Sequence, residues 1–190
     1  TVSVLGINVQ MLRSLNFEAI VALQRADRWD EAGRMLSDAA SGLRQAGAEA
    51  ILICTNTMHL VADQVSDAVD APLIDIIDET ARALIRDGKR RPLLLATRYT
   101  MEHGFYADRM RAHGVEVVTP EREDRDLCRR VISERGRGIG ADSVILGCTE
   151  LGLSVAQADL CLPCFDSTHI HAEAAVAFAL SPARELRRAS

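Results

Sequence analysis

Lysine is almost absent from this chain of 190 residues: 22 residues are basic, and all but Lys89 are arginines. Pyridoxal phosphate enzymes hold their cofactor through a lysine Schiff base. Lys89 lies beside two arginines in the polar stretch DGKRR between predicted elements, where it is poorly placed for such a bond. The composition therefore argues against a pyridoxal phosphate enzyme.

Aromatic residues are also scarce, at 4%, and no contiguous basic face is evident in a chain of net charge −5, so we expect no nucleic-acid partner. No apolar run is long enough to span a bilayer, and the N-terminus has neither a basic start nor a cleavage-like site. We therefore expect no membrane partner and a cytoplasmic protein. Five cysteines, an odd and scattered set, indicate reduced thiols rather than a disulfide framework.

Apolar strands alternate with helical patterns along the chain. We predict strands over VQMLRSLNF (9–17), AILIC, APLIDI, RPLLLAT, VEVV, SVILGC and LPCFD, with helices between them, including one over 101–112 and a short one within 122–140. This alternation predicts an α/β fold in which parallel sheets are covered on both faces by helices. Ligands of such folds bind beyond the carboxyl ends of the strands.

The chain also repeats itself. GAEAILICT (47–55) aligns without gaps on GADSVILGC (140–148), and PLID (72–75) matches PCFD (163–166). The repeat predicts two pseudo-symmetric lobes, each a parallel sheet flanked by helices, with the active site in the cleft between them. We predict lobes over 1–91 with 167–190 and over 92–166. TVSVLGI and the stretch 122–140 are short for such lobes, so we expect that internal segments are missing from the sequence.

The two copies of the repeat end in different reactive groups. Cys148 precedes a predicted helix, whose partial positive charge we expect to lower the pKa of the thiol; the alternative is a small buried side chain. Cys54 and Thr55 cannot both point into one pocket, because successive strand residues alternate faces. The ungapped repeat pairs Thr55 with Cys148 and gives Cys54 the packing position of Gly147. Pairing the two Cys-Thr dipeptides instead would reverse the faces of the apolar run.

The strand ends TNTMH and GCTE resemble the two motifs of the aspartate/glutamate racemase superfamily, whose cofactor-independent members carry Cys-Asn-Thr-x-His in one lobe and Gly-Cys-Thr-Glu in the other. The likeness extends over nearly the whole chain, and SLNF, ATRYTME and DSTHIHAEAAV resemble the bacterial aspartate/glutamate racemase branch. The second motif matches completely. In the first motif Asn56, Thr57 and His59 match, but Thr55 stands where the first catalytic cysteine belongs.

The resemblance implies a homodimeric isomerase that needs no cofactor and acts on a small acidic amino acid, aspartate or glutamate. One catalytic residue, Cys148 or Thr55, would remove the α-proton, and the other would return a proton to the opposite face. Because a threonine hydroxyl is a much weaker base than a thiolate, we expect strong preference for one enantiomer. Asn56, Thr57 and Thr149 are suited to hold the substrate carboxylate.

Weaker candidates surround these residues. We expect Glu150 to orient Cys148 or to contact the substrate ammonium, unless it is only a helix-capping residue. His59 is either a structural histidine or an orienter of the pocket, a role also open to Cys54. The distal carboxylate of an acidic substrate requires a cation, for which Arg98 is the best candidate.

Several other polar residues have structural alternatives. Asn16, Thr97 and Thr100 follow predicted strands on the same side of the sheet and could touch substrate, although turn and cap chemistry is the favoured interpretation. His169 and His171 are two residues apart, a spacing that need not converge on a metal, and we expect none. Cys161 and Cys164 have the spacing of a redox motif but enter a strand, which favours packing.

Other activities stay open within the superfamily: hydantoin racemase, maleate isomerase or a decarboxylase of malonates. A maleate isomerase would form a covalent adduct through one cysteine, whereas a racemase exchanges an α-proton without one. A homologue that only binds amino acids would bind aspartate without catalysing solvent exchange.

Overall fold

The computed structural model describes residues 2–7, 11–120, 140–153, 155 and 157–181. The chain divides into two compact units, Thr1–Asp75 with His171–Ser190 and Ile76–Ile170. We predicted boundaries at 91 and 166. The observed division differs because the helix Ile76–Arg86 buries Ile77, Ala81 and Leu84 in the core of the second unit.

The first unit contains a four-stranded sheet in the order β2-β1-β3-β4. The strands are β1 (Val2–Ile7), β2 (Met11–Leu15), β3 (Ala50–Ile53) and β4 (Leu73–Ile74). β3 and β4 are parallel, but β1 runs antiparallel to both β2 and β3, which corrects the prediction of a wholly parallel sheet. The connection from β1 to β2 is too short for a parallel crossover. β2, β3 and β4 nevertheless run in one direction, so their carboxyl ends share one edge of the sheet.

Helices cover both faces of this sheet. They are α1 (Phe17–Arg25), α2 (Trp29–Gln45), a 3-10 turn (Thr57–Val61), α3 (Ala62–Asp67) and the end of α7 (Ser167–Ala179). Ile51 and Ile53 pack in one apolar cluster with α2, whose buried residues recur every three or four positions. The alternate residues Ala50 and Leu52 pack on the other side with α7. Each such buried leucine or isoleucine stabilises the fold by about 1.5–3 kcal/mol.

The second unit contains a parallel sheet in the order β5-β6-β7. Its elements are α4 (Ile76–Arg86), β5 (Pro92–Ala96), α5 (Arg98–Glu102), α6 (Phe105–Ala112), β6 (Ser143–Gly147), two 3-10 turns (Leu151–Leu153 and Gln157–Asp159), β7 (Cys164–Asp166) and the start of α7. The division between the units falls within α7, between Ile170 and His171. The predicted α/β class is confirmed, and this sheet is parallel as expected.

Two predicted elements of the second unit differ in the structure. The helix over 101–112 is two helices, because Gly104 interrupts it with φ 77°, a conformation that glycine adopts without strain. The strand over VEVV is reduced to a single bridge between Leu93 and Val118. The short helix predicted within 122–140 falls almost wholly outside the described residues. Among the described helices, none has both the length and the apolar character needed to cross a bilayer.

Candidate active site

Cys148 directly follows β6 at the carboxyl edge of the second sheet and is half-buried. Its Sγ donates a hydrogen bond to Oε2 of Glu150 over 2.9 Å. The Thr149 hydroxyl donates to the same carboxylate oxygen over 3.1 Å. Thr149 and Glu150 are both exposed. The second motif therefore forms a local cluster in which a thiol and a hydroxyl share one carboxylate.

The pKa of the Cys148 thiol is raised, which is opposite to the direction we predicted. Burial is the largest cause, and the hydrogen bond to the Glu150 carboxylate adds to it; the backbone N–H groups of Glu150 and Leu151 lower the pKa by less. The prediction was wrong because burial outweighs the effect of these N–H groups, and the described residues between β6 and β7 form two short 3-10 turns, Leu151–Leu153 and Gln157–Asp159, rather than a long helix. Glu150 has a lowered pKa, chiefly because it accepts the hydrogen bond from Cys148.

The environment of Gly147 agrees with the ungapped register of the repeat. A Cβ atom on Gly147 would lie 2.8 Å from Cδ1 of Leu94 and 3.0 Å from Cβ of Ala96, so this position faces a closely packed layer. The equivalent residue in the first unit, Cys54, packs in the apolar cluster that contains Ile7. Burial raises the pKa of the Cys54 thiol. Cys54 has the surroundings of a packing residue.

Thr55 follows β3 at the carboxyl edge of the first sheet and is half-buried. Its carbonyl oxygen lies 2.8 Å from Nδ1 of His59, so the ring donates a hydrogen bond to the main chain of Thr55. His59 is buried, with 5% of its surface exposed, and Asn56 and Thr57 are buried as well. In the first motif a buried histidine thus donates a hydrogen bond to the backbone of Thr55, the residue equivalent to Cys148 in the repeat.

Asn16, Thr97 and Thr100 have structural roles in capping. The Asn16 side chain caps α1 by accepting a hydrogen bond from the backbone N–H of Ala19 over 3.1 Å. Thr97 caps α5 in the same way, through the backbone N–H of Thr100. We predicted that these residues lie on the same side of the sheet; in the structure Asn16 follows β2 of the first sheet and Thr97 follows β5 of the second. Arg98 is exposed, with its guanidinium 5.5 Å from the centroid of the Tyr99 ring.

The remaining candidate histidines and cysteines differ in burial and in hydrogen-bond partners. His169 is exposed, whereas His171 is buried and its Nε2 lies 2.7 Å from the carbonyl oxygen of Ile74. Cys161 and Cys164 are not joined in a disulfide, and burial, with the charge of Asp166, raises the pKa of Cys164 to about 11. These two thiols show no bond to each other and suit the packing interpretation.

Sequence reasoning missed the surroundings of His171. Its ring meets the ring of His59 edge to face, with the centroids 6.1 Å apart. Ile74 and His171 are separated by 97 positions, so no local spacing could have indicated the hydrogen bond between them. The DSTHIH stretch was the only available signal.

Comparison with known proteins identifies the family of this chain. The family model of Asp/Glu/hydantoin racemases matches residues 5–138. The structure is similar to that of a candidate Asp/Glu racemase from Yersinia pestis, with 42% identity, a TM-score of 0.82 and coverage of 88% of this chain and 82% of that one. It is also similar to an aspartate racemase homologue from Pyrococcus horikoshii, with 34% identity, a TM-score of 0.78 and coverage of 89% and 82%.

A third match is shorter. The broad specificity amino-acid racemase RacX of Bacillus subtilis is 26% identical over 89 residues, which are 47% of this chain and 39% of that protein. The match therefore spans well under half of the curated relative. From the extent of the family match and the two structural relatives above 30% identity, the chain belongs to the Asp/Glu/hydantoin racemase family, a family of isomerases.

Proposed function

We propose that this protein is a cofactor-independent racemase of aspartate or glutamate, with Cys148 and Thr55 acting on opposite faces of the α-carbon. The observation that carries the proposal is the Cys148 thiol at the carboxyl end of β6, hydrogen-bonded to Glu150 over 2.9 Å. Family membership and the names of the relatives support racemisation of an acidic amino acid. Aspartate and glutamate are equally compatible with these observations.

Inversion requires two proton-transferring groups, because a planar carbanion keeps its configuration if one face both loses and regains the proton. A thiolate at position 148 removes the α-proton of one enantiomer. Thr55, or a water molecule held by it, returns a proton to the other face. A threonine hydroxyl is a poor base at neutral pH, so the opposite direction is much slower. The enzyme therefore prefers one enantiomer as substrate.

The Cys148 thiol, whose pKa is raised in the free protein, becomes a base in the complex with the amino acid through Glu150. In the free protein the carboxylate accepts the thiol proton in a hydrogen bond and favours the protonated form. The ammonium group of an amino acid bound at Glu150 neutralises this carboxylate and lowers the pKa of the neighbouring thiol. With the lowered pKa the thiol releases its proton to solvent, which leaves a thiolate next to the α-proton that it removes.

Binding of the two substrate carboxylates falls to other groups. We assign the α-carboxylate to Asn56, Thr57 and Thr149, whose amide and hydroxyl groups follow the two strand ends and can stabilise the charge that develops on it. Arg98, exposed at the start of α5, is the candidate for the distal carboxylate.

The proposal is tested by incubating the purified protein in deuterium oxide with each enantiomer of aspartate and glutamate and following the α-proton signal by NMR. We expect loss of the signal for one acid, much faster from one enantiomer than from the other. Cys54→Ala serves as the matched control, since Cys54 occupies the packing position. Absence of exchange from all four substrates would refute the racemase.

A decarboxylase of malonates is a second candidate, favoured by the raised pKa of Cys148. Loss of carbon dioxide creates a carbanion without any base, and such an enzyme needs one protonated group to complete the reaction. A resting thiol supplies that proton. Release of carbon dioxide from substituted malonates, without α-proton exchange of amino acids, would select this function over racemisation.

A further inference from the structure

Two buried histidines of the first unit are bound to the ends of two neighbouring parallel strands. Nδ1 of His59 lies 2.8 Å from the carbonyl oxygen of Thr55, just beyond β3. Nε2 of His171 lies 2.7 Å from the carbonyl oxygen of Ile74, the last residue of β4. The two rings meet edge to face, with centroids 6.1 Å apart. Less than a tenth of the surface of either residue is exposed.

The acceptors determine the tautomers of both rings. A carbonyl oxygen only accepts hydrogen bonds, so each nitrogen next to it must carry a proton. His59 is therefore protonated at Nδ1 and His171 at Nε2. Each ring is oriented by the hydrogen bond to its carbonyl oxygen, and the two rings meet edge to face.

From this arrangement we propose that His171 is a positioning residue: through its edge-to-face contact with His59 it fixes the ring that holds the Thr55 main chain in place for proton transfer. The inference rests on the proposed role of Thr55 in racemisation. It assigns to His171 a function that its place in the C-terminal helix α7 does not suggest. Small displacements of a reacting group change rates by large factors, so a packed and hydrogen-bonded support is functionally significant.

The surroundings keep the His171 ring neutral. Burial lowers the pKa of His171 to about 4; the Ile74 carbonyl opposes this shift, His59 adds to it, and Asp75 opposes it. Among the described residues, the titratable groups whose charge shifts the pKa of this ring are His59 and Asp75. At neutral pH the ring therefore donates one hydrogen bond and carries no charge, which suits a rigid support.

Four variants separate the hydrogen bonds from the volume of the rings. Gln can place a donor where His171 has Nε2, and Asn can place one where His59 has Nδ1, whereas Leu removes the donor in each case. His171→Leu and His59→Leu are thus compared with His171→Gln and His59→Asn. Val176→Ala, on the exposed side of the same helix, serves as a control for nonspecific effects on α7.

Two measurements are made on each protein. The first is kcat and KM for each enantiomer, together with the rate of α-proton exchange that depends on Cys148. The second is independent of activity: the ¹³C chemical shift of the Thr55 carbonyl and the ¹⁵N shifts of the imidazole rings, which report hydrogen bonding and tautomers.

We expect His171→Leu to lower kcat about 10- to 100-fold in the direction in which Thr55 is the base, with KM changed less than about threefold. Exchange at Cys148 persists, and His171→Gln recovers most of the lost kcat. The Thr55 carbonyl shift moves in both Leu variants and returns towards the wild-type value in the Gln and Asn variants.

An unchanged Thr55 carbonyl shift in His171→Leu would overturn the inference, as would equal losses in the Cys148 and Thr55 directions. If His171→Leu does not fold, the wild-type spectra decide, because a His171 ring protonated at Nδ1 rather than Nε2 contradicts the arrangement. If the wild-type protein exchanges no α-proton, the proposed function fails, while the carbonyl shift still tests the link between His171 and Thr55.

Discussion

Thr55 follows β3 in the first unit and Cys148 follows β6 in the second, at matching positions of an internal repeat. At Thr55 a buried histidine binds the main chain. At Cys148 an exposed glutamate binds the side chain. The partner at the first strand end thus contacts the main chain of Thr55, whereas the partner at the second strand end contacts the thiol of Cys148 itself. Strand ends with similar sequences therefore differ in chemistry because different side chains contact them.

The two units also contain different ionisable groups with shifted pKa values, one buried and one half-buried. In the first unit His171 is kept neutral by burial. In the second unit Asp78 accepts hydrogen bonds from Arg109 at 2.7 and 2.9 Å and from His113 at 2.9 Å. Burial alone would raise the pKa of Asp78, but the hydrogen bonds and charge interactions with Arg109 and His113 outweigh it and lower the pKa to about 2. The units should therefore respond to acid in different pH ranges.

The largest effect is expected from removing the sulfur that distinguishes the two strand ends. Cys148→Ala should reduce α-proton exchange by about 10²- to 10⁴-fold, the usual contribution of a positioned acid or base. Cys54→Ala should retain most of the activity, because Cys54 packs in an apolar cluster. NMR in deuterium oxide measures both. Equal loss in the two variants would contradict the distinction between catalytic and packing thiols.

Acid should weaken the first unit through His171. Its pKa is lower in the folded protein than in the unfolded chain, so the unfolded chain binds the proton first and stability falls as the pH decreases from about 6.5 to about 4. The difference between 6.5 and about 4 corresponds to about 3 kcal/mol. His171→Gln should flatten this part of the pH dependence of urea unfolding. A variant that kept the wild-type slope would place the origin elsewhere.

Asp78 offers the matched test in the second unit. Because its pKa is depressed, its ion pairs stabilise the fold above about pH 4, and this stability is lost as the pH falls towards about 2. Asp78→Asn should reduce the free energy of unfolding at neutral pH by about 2 kcal/mol, and this deficit should disappear near pH 2. Unfolding monitored at a series of pH values tests this prediction. A constant deficit at all pH values would show that the charge of Asp78 is not the cause.

Making the two strand ends chemically alike should reduce their functional difference. Thr55→Cys places a thiol where the family motif has one, and we expect it to accelerate the slower direction of racemisation about tenfold or more. The faster direction, which depends on Cys148, should change little. Initial rates from both enantiomers provide the measurement. Thr55→Ser, which keeps a hydroxyl, is the control and should leave the slower direction slow.

The smallest effect concerns the Glu150 carboxylate. Glu150→Gln removes a negative charge next to Cys148, so the pKa of the thiol should fall. Alkylation of the Cys148 peptide with iodoacetamide across a pH series, followed by mass spectrometry, measures the shift. Cys54, whose thiol pKa is raised by burial alone, is the internal reference. A parallel shift at Cys54 would indicate a general loosening rather than an effect of the charge.

The elements that sequence patterns predicted well are those whose apolar runs are buried on both faces. AILI, PLLLA and SVILG became β3, β5 and β6 because their residues pack in the clusters on either side of the sheets. The antiparallel direction of β1 was not predicted, since strand patterns alone do not specify direction. VEVV has strand composition but forms only one bridge.

In the site, contacts between residues close in sequence were predictable, whereas effects that depend on the folded structure were not. The contact of Cys148 with Glu150 spans two positions, and the motif was sufficient to suggest it. The direction of the thiol pKa was not predictable, because it depends on burial and on the side-chain geometry of Glu150. The cap roles of Asn16 and Thr97 were among the expected alternatives, but their placement on two separate sheets was not.

The sequence alone determined the α/β class, the repeated strand ends and the residues available there, because strand periodicity and motif spacing are local properties. Tertiary structure decided which groups modify them. The hydrogen bond between His171 and the Ile74 carbonyl joins residues 97 positions apart, and the raised pKa of Cys148 follows from desolvation and the nearby carboxylate. Such effects depend on distance and burial in the folded chain, neither of which is a property of a short stretch of sequence.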